Sequence, residues 1–79
     1  MSYGYSQRLV DANKKADASS WGVFLGTRCI ELGIPVNEIA ERIGVSRATV
    51  YNWFWGVRTP SIQHSQRIAS LVPKLKKRK

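Results

Sequence analysis

The 79-residue sequence predicts an all-α fold, and three observations lead there. Apolar residues recur at spacings of three and four from Trp21 to Val72, the repeat of helices that each bury one face. No stretch alternates apolar and polar residues in the manner of a strand, and no internal repeat is present. Glycine, serine and proline fall between the periodic segments, where helices stop and start. A chain this short forms one domain with a small core.

Residues 1–17, MSYGYSQRLVDANKKAD, are polar with scattered apolar positions, so they read as a flexible N-terminal arm with room for a short helix over residues 7–14. Ser19 or Ser20 then offers an oxygen to the free N–H groups of a first long helix, on which Trp21, Leu25, Cys29 and Leu32 share the core face. Gly33 suits the positive φ that ends it. Gly22, Gly26 and Gly33 lie along one side of this helix, a spacing that permits close approach of another backbone, although each interior glycine costs about 1 kcal/mol. Pro35 leads into a second helix with a narrow stripe of Ile39, Ala40 and Ile43, and Gly44 ends it after two turns.

Val45 packs inward and Ser46 caps the next helix, whose Val50, Trp53 and Phe54 stand at i, i+3 and i+4 and face the core. Its other face carries Arg47, Ala48, Tyr51, Asn52 and Trp55. Gly56 breaks it, residues 57–59 form a loop, and Pro60 with Ser61 opens a helix carrying Ile62, Ile68, Ala69, Leu71 and Val72. Pro73 closes the folded domain, residues 18–73, and residues 74–79 form a basic, solvated tail.

Charge is strongly polarised along this plan. The first 41 residues hold four Lys/Arg and five Asp/Glu, whereas the remainder holds nine Lys/Arg and no acid. Such a distribution implies a polyanionic partner, because each neutralised phosphate releases condensed counterions. One cysteine forms no internal disulfide, and one cysteine with one histidine supports neither a metal cluster nor a nucleophile, base and orienting group. No cofactor is expected, and an enzyme is the least favoured class. No apolar run approaches the roughly 20 residues that span a bilayer, and no signal peptide opens the chain, so a soluble protein of the cytoplasm is expected, with no membrane partner.

The stretch VNEIAERIGVSRATVYNWFWGVRTP, with Ala40 where two helices cross, Gly44 in the turn between them, and Val45, Val50 and Trp53 at fixed offsets, resembles the helix-turn-helix of the lambda repressor and Cro family. The continuation WFWGVRTPS is similar to that family's Trp-x-x-Gly-x-x-Thr-Pro-Ser passage into the following helix. The resemblance covers about residues 20–72 and implies a compact four- to five-helix bundle whose helix after Ser46 enters the major groove of double-stranded DNA. It places Arg47, Ala48 and Asn52 toward base edges and Ser46 and Thr49 near the flanking phosphates. The chemistry agrees: Arg47 suits guanine O6 and N7, Asn52 suits adenine N6 and N7, and Ala48 suits a thymine methyl. Asn37 faces a phosphate together with the N–H groups at the start of its helix, and Arg58 is a second backbone clamp. Lys74, Lys76 and Lys77 add phosphate contacts, against the blander reading of a solubility tail.

Two positions depart from the family pattern. Cys29 and Phe54 replace an arginine and glutamate that pair across helices in many members, and apolar packing there is expected to be neutral or stabilising, with Phe54 lying against a buried, unreactive Cys29. The C-terminus LVPKLKKRK stands where members often carry a fifth helix used in dimerisation. Tyr51 and Trp55, one turn apart, are an aromatic pair suited equally to DNA or to a protein partner, with partial burial as a third reading; Tyr51 is grouped here with the base-facing residues. Trp53 and Trp21 are assigned to the core, and His64 to a helix surface.

The expectation is therefore a small sequence-specific transcriptional regulator of bacterial or bacteriophage type, a Cro-like repressor controlled by its own concentration. If it forms a homodimer, whether free or only on DNA, its operator has half-sites about one helical turn apart. Two alternatives follow from the same residues: a phage-type inhibitor that turns Tyr51, Trp55 and the basic face toward an acidic protein, or a nonspecific architectural protein that coats DNA.

Overall fold

The computed structural model describes residues 5–17 and 19–77 of the chain. Five helices follow in order, α1 (Gln7–Lys15), α2 (Trp21–Leu32), α3 (Val36–Ile43), α4 (Arg47–Trp55) and α5 (Ile62–Leu71), with a short 3-10 turn, Val72–Lys74, after α5. No strand occurs among the described residues. The all-α reading is correct.

Local chemistry sets most boundaries where the sequence put them. Gly33, Gly44 and Gly56 end α2, α3 and α4 with φ of 72°, 87° and 78°, a left-handed geometry that favours glycine. Ser46 and Ser61 cap α4 and α5, their hydroxyls accepting from the backbone N–H groups of Thr49 and His64, each at 3.2 Å. The expected serine cap on α2 is not made: the Ser20 hydroxyl has no hydrogen-bond partner among the described residues. Asp17 closes that turn instead, accepting from Ser19 N at 2.9 Å through its carboxylate and from Ser20 N at 3.1 Å through its carbonyl.

Leu25, Cys29, Ile34, Ile39, Val50, Phe54 and Ile68 are fully buried and form the centre of the core. Cys29 and Phe54 thus occupy one apolar core. The α2 glycines explain how the helices come so close. A Cβ on Gly22 would lie 2.7 Å from Trp53 Cβ, and one on Gly26 would lie 2.7 Å from Asn13 Nδ2 and 2.8 Å from Phe54 Cγ.

Three expectations are corrected. From Tyr5 onward the N-terminal segment is part of the bundle rather than a flexible arm; its first four residues lie outside the described residues. Ser6 caps α1 through Leu9 N at 3.1 Å, and Tyr5, Leu9, Val10 and Asn13 are buried. Tyr5 donates to the Ile34 carbonyl and packs its ring 6.0 Å from that of Phe54. Asn13 donates to the carbonyls of Val23 and Phe54 at 3.1 and 3.0 Å and accepts from Thr27 Oγ1 at 2.8 Å. Its burial is tolerated because these bonds satisfy the amide.

Trp21 is 41% exposed rather than core, and pairs edge-on with the ring of Phe24. Each step of four residues overshoots a full helical turn by about 40°, so Trp21 has rotated about 80° from Cys29 and leaves the stripe. The folded part also runs past Pro73. Leu75 turns back into the core at 8% exposure, and only residues beyond it fit the expected tail, the last two lying outside the described residues.

Candidate nucleic-acid interface

One face of α4 is immobilised by burial of Val50, Trp53 and Phe54, and the other is presented to solvent. Arg47, Ala48 and Tyr51 are exposed there and Asn52 is half-buried. A helix held on its apolar side keeps its polar side at a fixed height, which is what reading base edges in a groove requires. The Cap of α4 engages two of the residues assigned to phosphates, since Ser46 Oγ stands 3.0 Å from Thr49 Oγ1 as well as accepting the Thr49 N–H. Their hydroxyls are thus oriented by the helix start.

Arg47 reaches across the turn and donates through Nη1 to Asn37 Oδ1 at 3.3 Å. The structure thereby brings together a residue assigned to a base and one assigned to a phosphate, on the first turns of α4 and α3. Glu41 lines the same shallow cleft, with Asn37, Val45 and Arg47. Sequence reasoning missed this carboxylate as part of the surface, although its spacing of four from Asn37 on α3 was the available signal.

At the other end of α4, the Asn52 carbonyl accepts from both Val57 N and Arg58 N, at 3.0 and 3.3 Å. The loop therefore folds back on the helix and holds Arg58, which is exposed, beside its last turn. Tyr51 and Trp55 remain 41% and 36% exposed, so neither ring is consumed by the core. Val57, in the loop that follows α4, is 69% exposed.

Lys74, Lys76 and Lys77 are exposed, but Lys74 is not gathered with the α4 residues. It lines a separate groove with Arg42 and Arg67, to which α4 contributes nothing. His64 is half-buried, its ring 5.5 Å from that of Trp53. Cys29 has no access to the surface, and burial pushes its thiol up to about 12. No group of three or more metal-ligating side chains occurs among the described residues, and none of the described helices is long and apolar enough to cross a membrane.

A family model described as helix-turn-helix matches residues 27–73, more than half of the chain. The match begins within α2 and ends within the 3-10 turn, so α1 lies outside it. No curated protein and no solved structure matches the chain.

Proposed function

This chain belongs to the helix-turn-helix family, in its lambda repressor and Cro form, and we propose that it is a sequence-specific transcriptional regulator that lays α4 in the major groove of double-stranded DNA. The observation that carries this reading is the division of α4, with Val50, Trp53 and Phe54 locked inside, Arg47, Ala48 and Tyr51 exposed, and Asn52 half-exposed beside them. Arg47 and Asn52 supply the paired donors and acceptors that distinguish guanine and adenine, and Ala48 leaves room for a thymine methyl. Asn37, Ser46, Thr49 and Arg58 flank them and set the register on the phosphates.

Occupying a promoter in this way represses it by excluding other proteins, as a Cro-like repressor of bacterial or bacteriophage origin would. A homodimer formed on DNA would read a palindrome with half-sites about one turn apart. The exposed Tyr51 and Trp55 pair supports a second use of the same face, contact with an acidic protein.

Titration of the wild type, Arg47→Ala and Asn52→Ala against duplexes varied one base pair at a time tests the reading. Each variant should lose about 1–3 kcal/mol of discrimination at its own base pair and little elsewhere. Uniform loss across all duplexes, or none, would count against base reading by α4.

A further inference from the structure

We propose that the chain carries a second phosphate-binding surface, separate from α4, in the groove between the C-terminal end of α3 and the outer face of α5. The groove has a volume of about 870 Å³ and is lined by Arg42 from α3, by Gln63, Gln66, Arg67 and Ser70 from α5, and by Lys74 from the 3-10 turn. The α5 positions recur at intervals of three and four and continue through Lys74, so a single stripe of hydrogen-bond donors runs the length of the helix. No carboxylate lines it among the described residues, and no Asp or Glu occurs in the chain after Glu41.

The cations are arranged to stay available. Arg67 is fixed by donating Nη1 to the Ile43 carbonyl at 3.0 Å, which aims its guanidinium at the end of α3 and leaves its remaining N–H groups unused by that bond. Arg42 makes only a loose pair with Glu38 at 3.5 Å, with its side chain 47% exposed. Such a surface pair is easily exchanged for a stronger partner. The groove is open, so a single small anion would stay hydrated and gain little from it. A chain of regularly spaced phosphates gains by releasing counterions at each contact, and the arginine forks match phosphate oxygens. The ligand is therefore the phosphodiester backbone of nucleic acid, supplied either by the flank of the duplex that α4 occupies or by a second duplex.

The double variant Arg42→Gln/Lys74→Gln tests this, since both side chains are exposed and neither contributes to the core. Its binding and that of the wild type are followed by fluorescence anisotropy across a salt series, after thermal melting has shown both to be folded. Two duplexes are used, one of about 12 base pairs that barely exceeds a single helical turn and one of about 30. The salt slope of the variant should be shallower by about 1.8, the value for two lost phosphate contacts. A change confined to the long duplex places the groove on flanking phosphates. A change on the short duplex, with two duplexes bound per wild-type chain and one per variant chain, places it on a second duplex.

Unchanged slopes on both duplexes would overturn the proposal, and weaker binding of the variant to poly-L-glutamate in that case would assign the groove to an acidic protein. The inference stands apart from base reading by α4. Repeating the comparison in an Asn52→Ala background should leave the slope difference intact even where sequence preference is lost.

Discussion

The side-chain amide of Asn13 donates to the main-chain carbonyl of Phe54 at 3.0 Å, joining α1 to the last turn of α4. The same amide donates to Val23, so one buried polar residue fixes three helices relative to one another. The helix that carries the candidate base-reading side chains is thus braced by an element outside the matched family segment.

Replacing Asn13 with alanine removes the amide's donations to the Val23 and Phe54 carbonyls and one of the two acceptors of the Thr27 hydroxyl, which keeps the Val23 carbonyl at 3.1 Å. The expected cost is about 2–3 kcal/mol, read as a lower urea midpoint. Asn13→Asp keeps the shape but supplies no donor, and should be destabilised as well. A midpoint unchanged in both variants would show that the brace is not needed.

Gly26→Ala should destabilise the fold even though alanine is the better helix former by about 1 kcal/mol. The added methyl would stand 2.7 Å from Asn13 Nδ2 and 2.8 Å from Phe54 Cγ, and neither neighbour is a free-swinging chain end. A net loss of about 1–3 kcal/mol is expected from overpacking. Thermal melting decides the sign, and a gain in stability would contradict the packing described for α2.

Alkaline pH should weaken the fold through Cys29. Burial, with the nearby Glu38 carboxylate, raises its thiol from 9.0 to about 12, so on raising the pH the unfolded chain loses this proton first. Stability from the neutral thiol is complete below about pH 9 and is lost as the pH rises toward 12. Tyr5, also raised by burial, contributes in the same direction. Cys29→Ala should flatten the dependence without abolishing it, and the native thiol should react with a disulfide reagent only as fast as the fold opens.

Arg58→Ala should weaken binding to all duplexes alike and make the salt slope shallower by about 0.9, as expected for one lost phosphate contact. Sequence preference should be unaltered. A change in preference instead would move Arg58 from the backbone to the bases.

The helix-turn-helix was legible because its determinants are local. Gly44 at the turn, Ser46 at the cap and the inward trio Val50, Trp53 and Phe54 act through backbone conformation and helical period, both readable along the chain. The brace was not legible, because Asn13 is buried only by virtue of partners 10 and 41 residues away, and a polar side chain gives no hint of them. Leu75 was hidden for a related reason: a single apolar residue among lysines looks solvated until the turn at Val72–Lys74 carries it back to the core. The candidate base-facing set was readable as a face of α4, whereas the Arg47 to Asn37 bond, the placement of Glu41 and the company of Lys74 required tertiary structure.

Sequence reading by α4 is decided by selecting and sequencing bound members of a random duplex pool at roughly 0.15 M salt, where exposed charges beyond a Debye length of about 8 Å are screened. If α4 reads sequence, a motif is enriched that Arg47→Ala and Asn52→Ala each alter at a single position. Retained binding with no enriched sequence would contradict it and leave a protein that holds DNA by its phosphates alone.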